Sequence, residues 1–577
     1  MQLFKTTKST IISGLLAAFV CAAIPLSWGQ TPESASEPAP PPANSFDQVV
    51  DRTINSERIL VTRVKGKQPV IETYIQELKS DGDFGMVPLR DFYFLGKLDL
   101  RSGLIHESFL PTQSLLKRIP HFFATLFSTE YYPRGFASEM FLDSRDFDRT
   151  HYLFTYVRRE FLGDVRCVVI DVKPLRSAGK GRFAGRIWVE DRDFNIVRLN
   201  GTYLSSSASD YGHFDSWRVN TGPGLWLPAY IYTQDEPSRS GVVPLVPMHP
   251  MRAQTRLWNY EPERDRAEQS FTNMTVDIPE GVRDNSDAAA DNSPVQEQRM
   301  WETQAEDNVI DRLEEAGLVA PRGELDQVLD TVLNNLEITN NLNIDPPVRV
   351  RILLTTPLES VAVNHTLLIS RGLIDVLPDE ACLAAVLAHE LAHVLLGHSV
   401  NTKYAFADRM MFEDPGALKH ISIARTQREE QAADAKALQI LKNSPYKDKL
   451  PQVGLFLRML SARANEVPHL IRPLLGNRMA DTKKDMRLSG LMETSPELQI
   501  RNPEQIAALP LGSRVKMDPW SDQLRLMKSH NVPLLSAKEK LPFQITPFML
   551  HLTREDSSEA AASTAANGPG DAVTSRQ

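Results

Sequence analysis

Apolar residues change their spacing once along the chain. Between residues 46 and 278 they stand in short runs that alternate with polar residues, a pattern typical of β-strands. The clearest runs are Tyr152–Tyr156, Val165–Val172, Phe183–Val189 and Ile196–Tyr203. We therefore predict a mainly antiparallel β domain over residues 46–278.

Beyond Met300 the apolar residues recur at steps of three and four, the period of an amphipathic helix. These positions are Val309, Leu313, Leu325, Val328, Leu329, Val332, Leu333 and Leu336. The later predicted elements are strands at 348–354 and 360–369, a long helix from Asp379, and helices at 427–442 and 450–464. The pattern predicts a mainly α domain with a small edge sheet over residues 301–552, so the predicted fold class is α+β.

Four segments have compositions that do not build a core. Residues 1–29 run from basic to apolar to small residues, which is typical of a signal peptide, with an uncleaved anchor as the alternative. Residues 30–45 are rich in Pro, Ala and Ser and predict a flexible tether. Residues 279–300 predict an interdomain linker, and residues 553–577 a disordered tail. The chain is expected to be exported.

Composition and charge exclude some partners. With 42% hydrophobic and 24% charged residues the chain has the make-up of a globular protein. The formal net charge is -9, and Lys and Arg are dispersed rather than gathered into blocks. Nothing in this pattern forms the basic patch that a nucleic acid requires, so we expect no nucleic-acid partner.

One predicted helix carries ionisable residues within an apolar sequence. Between Asp379 and Gly397 almost every residue is apolar, yet His389, Glu390 and His393 lie in the middle. Residues four apart share a helix face, so both imidazoles can reach one ion, whereas Glu390 points beside it and can hold a water. Three ionisable groups are costly to bury unless a cation compensates them. The motif predicts a zinc site with Glu390 as the general base.

A catalytic zinc ion generally has three protein ligands, so a third must be found. His398 is close in sequence, but it falls five residues beyond His393 and away from the ligand face. Glu430 and Asp434 lie four apart in the next predicted helix, so one can bind the metal while the other accepts a hydrogen bond from a ligating imidazole. We predict Glu430 as the ligand and Asp434 as the acceptor; a solvated acidic helix face is the alternative.

These segments resemble those of a known family. The stretches from His389 to His393 and from Glu430 to Asp434 are similar to the motifs of the gluzincin metallopeptidases of family forty-eight. That family includes prenyl-protein endopeptidases, HtpX-type heat-shock membrane proteases and periplasmic β-barrel-assembly-enhancing proteases. The resemblance covers residues 300 to 510 and implies a zincin-type metalloprotease domain with one zinc ion per chain and unstructured polypeptide as the substrate.

The resemblance also implies roles outside the two motifs. In the family, the segment equivalent to Thr366–Ser370 is an edge strand that pairs with an extended peptide. Arg501 matches a family arginine and is expected to stabilise the developing oxyanion. Ser495 stands where the family has a histidine before Pro496, so the role of that histidine is not transferred to this chain.

The first half has a resemblance of its own. Around Phe183 to Tyr203 it is similar to the curved-sheet, half-barrel domains of periplasmic lipoprotein carriers. The combined expectation is an exported, most simply periplasmic, zinc endopeptidase that cleaves extended or misfolded polypeptides in envelope quality control, with peripheral membrane or envelope association. Anchored or extracellular placement is an alternative. The rival function is a periplasmic binding or chaperone protein whose protease-like domain is inactive or regulatory.

Overall fold

The described part of the protein covers most of both predicted domains. The computed structural model describes residues 45–82, 85–100, 105–109, 135–142, 146–179, 181–204, 212–235, 249–260, 294–400, 421, 423–480, 486–499, 515–517, 524–526, 545 and 549–554. The predicted signal peptide and almost all of the predicted tether and tail lie outside these residues.

Ten strands form one large antiparallel sheet in the first half of the chain. The strands are β1 Val70–Asp81, β2 Gly85–Asp99, β3 Ile105–Ser108, β4 Tyr152–Leu162, β5 Val165–Pro174, β6 Arg182–Glu190, β7 Ile196–Leu204, β8 His213–Gly222, β9 Leu225–Asp235 and β10 Met251–Trp258. Their order in the sheet is β3-β2-β1-β10-β9-β8-β7-β6-β5-β4, so β4 to β10 are consecutive neighbours and β10 pairs with β1. The prediction of a mainly antiparallel β region is confirmed.

One face of this sheet is covered by a helix, α1 (Phe46–Val64). The helix begins at Ser45, whose hydroxyl accepts a hydrogen bond from the amide of Gln48 and so satisfies one free amide of the first turn. Its apolar side packs on the sheet through one buried cluster, which includes Val50, Ile54, Leu60 and Val64 from the helix and Ile71, Ile170, Ile187, Leu199 and Ile231 from the strands.

A buried ion pair fixes α1 to the sheet. Glu57 accepts hydrogen bonds of 2.6 and 2.8 Å from the two terminal nitrogens of Arg218 in β8. Both side chains are about 1% exposed. Two parallel bonds between a carboxylate and a guanidinium hold the helix in a single orientation.

The second half of the chain is mainly helical around a small sheet, as predicted. The elements of this half, in chain order, are α2 Pro294–Glu315, α3 Glu324–Thr339, β11 Arg349–Leu353, β12 Ser360–Val363, β13 Thr366–Ser370, α4 Arg371–Val376, α5 Glu380–Leu395, α6 Gln427–Lys442, α7 Leu450–Arg463, α8 Pro468–Ile471 and α9 Ser489–Glu493, followed by the hairpin β14 Val515–Met517 and β15 Leu524–Leu526. The small sheet has the order β11-β13-β12, with β11 parallel and β12 antiparallel to β13.

Two expectations for this sheet are wrong. The single strand predicted at 360–369 is a hairpin of β12 and β13, because the chain turns at Asn364 and His365, with Asn364 in the left-handed region at φ 49°. The family resemblance implied that Thr366–Ser370 is an edge strand, yet β13 lies between β11 and β12. The edge strands of this sheet are therefore β11 and β12.

Helix α5 is the most buried helix of this half. Asp379 caps it by accepting a hydrogen bond from the amide of Cys382, and every residue from Ala381 to His393 is buried. It contacts α3, α6, α7 and both strands of the hairpin. A helix that is apolar on all sides has to be surrounded in this way.

The other face of the large sheet shares its core with the helical half. Glu72 of β1, about 1% exposed, accepts hydrogen bonds from the amide and hydroxyl of Thr356 at 2.6 and 2.8 Å. Asp91 of β2 accepts from the amides of His469 and Leu470 at 3.0 and 2.8 Å. The two halves therefore pack as one body rather than as separate lobes.

Two ends of the predicted segments differ from the structure. Helix α2 begins at Pro294, inside the predicted linker. Arg554, inside the predicted tail, pairs with the buried Glu190 at 2.7 Å. The other domain boundaries stay predictions. Among the described helices, none has the length and apolar character needed to cross a membrane.

Replacing Glu57 by Ala should destabilise the fold by about 3–5 kcal/mol, because it leaves the buried guanidinium of Arg218 without its carboxylate. The matched control is Arg58→Ala, since Arg58 is half exposed and lies 3.9 Å from Asp148. Loss of this exposed ion pair should lower the free energy of unfolding by about 1 kcal/mol or less. Thermal unfolding of the two variants checks this, and equal shifts would contradict the role given to the buried pair.

Candidate metal centre

Three side chains from two helices meet at one point. His389 and His393 of α5 and Glu430 of α6 each offer one donor atom, and these atoms all lie within 4.8 Å of one another. The two Nε2 atoms are 3.2 Å apart, and Glu430 Oε2 lies 3.1 Å from Nε2 of His389. Both imidazoles are about 1% exposed. Two nitrogens and one carboxylate oxygen form the donor set of a catalytic zinc site.

Asp434 orients the first imidazole. Its Oδ1 lies 2.8 Å from Nδ1 of His389, and its Oδ2 accepts a hydrogen bond of 2.9 Å from the amide of Leu488. A carboxylate only accepts, so Nδ1 carries the proton toward Asp434 and Nε2 faces Glu430. This arrangement of carboxylate, imidazole and ion is common around zinc.

Glu390 lies beside the three donors and is about 2% exposed. Its Oε1 accepts a hydrogen bond of 2.6 Å from the hydroxyl of Ser360 and one of 3.0 Å from Nη1 of Arg487. These contacts fix the carboxylate between α5 and the edge strand β12.

Glu430 is held from its other side by residues that the sequence did not single out. Asn477 Nδ2 donates to Glu430 Oε1 at 2.9 Å, and Arg487 Nε lies 3.3 Å from Glu430 Oε2. Asn477 also bonds the backbone of Arg425 in both directions. Residues 477 and 487 come from a segment with no motif, and only the tertiary structure places them here.

The charges of the site are strongly coupled. Burial alone would raise the pKa of Glu430, but the charge of Arg487 and the hydrogen bond from His389 hold it well below its usual range. Burial lowers the pKa of His389, yet Asp434 and Glu430 together outweigh it and raise the pKa to about 9. Burial and the positive charge of His389 lower the pKa of His393 to about 2. A cation that binds here has to displace the proton of His389.

His398 lies near the site but on the wrong side of a ligand. Its Nδ1 is 2.9 Å from Nδ1 of His393, whereas Nε2 of His393 faces the other donors. Gly397, in the left-handed region at φ 65°, ends the helix and turns His398 back toward it.

The sequence analysis also named two positions beyond the two motifs. Arg501 lies outside the described residues. The hydroxyl of Ser495 accepts a hydrogen bond from Arg458 Nε at 2.8 Å and donates to the carbonyl of Met492, so it is engaged between α7 and α9.

A further buried carboxylate supports the edge strand from behind. Glu359 precedes β12, and its Oε2 accepts hydrogen bonds from the amides of Leu474 and Leu475 at 2.9 and 3.0 Å. Thr355 donates to its other oxygen at 3.2 Å. Burial raises the pKa of Glu359 to about 7, although the amides act in the opposite direction.

One protein-family model matches part of the helical half. Residues 361–501 match the model of the family described as Peptidase family M48. No curated protein matched the chain.

Three solved structures are similar to part of the chain. A LolA superfamily protein from Nitrosomonas europaea has 12% identity and a TM-score of 0.18, covering 38% of this chain and 93% of its own. A putative outer membrane lipoprotein-sorting protein domain from Vibrio parahaemolyticus has 9% identity and a TM-score of 0.22, covering 39% and 97%. A DUF1329 family protein from Desulfovibrio piger has 12% identity and a TM-score of 0.19, covering 38% and 98%.

Replacing Glu430 by Ala should abolish zinc binding, because it removes one of the three donors. His398→Ala is the matched control and should keep about one zinc per chain, since His398 lies on the far side of His393. Elemental analysis of the purified proteins measures both. Zinc lost from His398→Ala and kept in Glu430→Ala would reverse the assignment of the third ligand.

The stability of the wild type should fall as pH rises from about 5 to about 8. The pKa of Glu359 is raised to about 7 in the folded protein. At a pH between its usual pKa and this value, Glu359 holds a proton in the native state that the unfolded chain has released. The loss is on the order of 3 kcal/mol. Glu359→Gln keeps the acceptor oxygen but does not titrate, so its melting temperature should vary less over this range. Identical pH profiles for the two proteins would contradict the shift.

Proposed function

We propose that this chain, whose residues 361–501 belong to peptidase family M48, is an exported zinc-dependent endopeptidase that hydrolyses extended or misfolded polypeptides. The observation that supports the proposal most is the meeting of His389, His393 and Glu430 with Glu390 fixed beside them. A metallopeptidase needs three ligands and a separate base at one place, and this geometry provides both.

The residues that would hold zinc are His389, His393 and Glu430. When bound there, a zinc ion would polarise a water molecule and the scissile carbonyl. Asp434 keeps His389 in the tautomer that leaves Nε2 available, and Asn477 and Arg487 hold the two oxygens of Glu430.

Glu390 is the proposed general base. Ser360 and Arg487 both donate to its Oε1, and no described residue donates a hydrogen bond to Oε2. Oε2 is therefore the oxygen that takes the proton from the attacking water and returns it to the leaving amine. Arg501 is proposed, on the family resemblance, to stabilise the developing oxyanion.

An extended substrate is proposed to pair with β12. Because Ser370 donates to the carbonyl of Glu359, the alternation of an antiparallel pair directs the backbone groups of Ser360 and Ala362 away from β13, toward the side on which no described strand lies. A peptide added there lies beside Ser360, which contacts Glu390. This side of β12 is buried, and Arg425 and Arg487 donate to the carbonyls of Ala362 and Ser360 at 2.7 and 3.3 Å, so a substrate strand has to displace both arginines.

The cellular place is proposed from the sequence. Residues 1–29 have the order of a signal peptide, which supports export and, most simply, a periplasmic protein of the cell envelope. A protease that binds its substrate by strand pairing is suited to unfolded envelope proteins, because folded ones offer no extended segment for pairing.

Glu390→Gln should keep zinc and lower turnover by about 10²–10⁴-fold, because the amide still accepts from Ser360 and Arg487 but cannot take a proton. The measurement is digestion of unfolded casein by the purified full chain, with and without a chelator. Wild-type protein inactivated by chelator and restored by zinc is the positive control.

Digestion by Glu390→Gln at the wild-type rate would disprove the mechanism. A wild-type protein that binds zinc but cleaves no unfolded substrate would favour the rival, a binding or chaperone protein with a regulatory protease-like domain.

A further inference from the structure

Arg487 is the residue that ties the separate parts of the site together. It is about 8% exposed and follows Met486, which forms an isolated bridge with Ala480. Its Nη1 lies 3.0 Å from Glu390 Oε1, and its Nε lies 3.3 Å from Glu430 Oε2. One guanidinium therefore contacts both the proposed base and a proposed metal ligand.

The same guanidinium also reaches the edge strand. Nη1 donates to the hydroxyl of Ser360 at 3.2 Å and lies 3.3 Å from the Ser360 carbonyl oxygen. Nη2 donates to the carbonyl of Asn477 at 3.0 Å, and Asn477 in turn donates to Glu430. The fork of donors thus joins β12, α5 and α6 through a single side chain.

The charges of the site support the same role for Arg487. Glu390, Glu430 and Asp434 bring three carboxylates together, and Arg487 places one positive charge between the first two. Arg425 also attracts Glu390 and Glu430 electrostatically. The charge of Arg487 also lets Glu390 stay close to Glu430 without strong repulsion.

The backbone after Arg487 is shaped to serve the same group. Leu488 lies in the left-handed region at φ 57°, a conformation that a leucine rarely adopts. In this conformation its amide donates to Asp434 Oδ2 at 2.9 Å, and its side chain is buried. Residues 487 and 488 together contact Glu390, Glu430 and Asp434.

We propose that Arg487 is a positioning residue, which sets the orientation of Glu390 relative to Glu430 and to the edge strand that receives the substrate. The inference rests on the proposed peptidase function. Lysine cannot replace it, because a single ammonium lacks the planar fork that contacts Glu390, Ser360 and Glu430 at once.

The test compares Arg487→Met and Arg487→Lys in the full chain. Both should retain about one zinc per chain, and kcat on an unfolded peptide should fall about 100-fold, because a base displaced by about 1 Å loses that much. The KM should change less than kcat, because Arg487 contacts only the Ser360 carbonyl on the β12 edge that pairs with substrate, and the groups of Ala362 stay in place. Arg458→Met is the matched control, because Arg458 is a partly buried arginine that bonds Met492 and Ser495 instead of the carboxylates.

A second readout does not depend on activity. Cobalt(II) replaces zinc in such sites, and its visible absorption bands report the geometry of the ligands. Loss of Arg487 removes one of the two contacts to Oε2 of Glu430, the other being Nε2 of His389. The bands of both Arg487 variants should therefore differ from those of the wild type and of Arg458→Met.

The effects of Arg487→Met and Ser360→Ala on kcat should not add, because both residues hold Oε1 of Glu390.

Any one of three results would overturn the inference. These are a kcat of Arg487→Met within threefold of the wild type, full activity of Arg487→Lys, and cobalt spectra of the Arg487 variants that are identical to that of the wild type. Failure of the proposed function is distinct, because a wild-type chain that cleaves nothing would still show the spectral difference between itself and Arg487→Met.

Discussion

Charge compensation inside an apolar helix is the constraint on which this structure depends. Helix α5 is buried along nearly its whole length, yet it carries two imidazoles and a carboxylate in its last turns. Each has to find a partner from another element. Helix α6 provides Glu430 and Asp434, β12 provides Ser360, and the segment before α9 provides Arg487. The surroundings of α5 are thus arranged around its polar atoms, and the apolar packing fills the space between them.

The same principle joins the large sheet to the helical half. Glu72 and Asp91 are buried carboxylates on the sheet face, and both accept hydrogen bonds from backbone amides of the other half. Glu72 also pairs with the buried Arg256 of β10. A buried carboxylate without donors would cost several kcal/mol, so these contacts specify the interface more sharply than its apolar surface does.

The spacing of residues in the sequence was enough to group those site residues that lie on the same helix. His389, Glu390 and His393 share one helix, and Glu430 and Asp434 share another, so periodicity alone could group them. The need for a third ligand predicted that the two helices converge, although spacing alone also allowed a solvated acidic helix face. Ser360, Asn477 and Arg487 carry no spacing signal, because each reaches the site from a separate segment through tertiary packing. The sequence 360–369 was predicted as one strand because apolar residues lie on both sides of Asn364. The turn depends on the left-handed conformation of Asn364, which the spacing of apolar residues does not reveal.

The contact between Glu72 and Thr356 has an evolutionary consequence. Thr356 is bonded to the sheet, and four residues later the chain reaches Ser360, which donates to Glu390. If the helical half were separated from the large sheet, the segment that leads into β12 would lose this support. Substitutions in the sheet and in the helical half should therefore depend on each other. A change at Glu72 or Asp91 is best compensated by a second change across the interface, because their hydrogen-bond donors lie in the helical half.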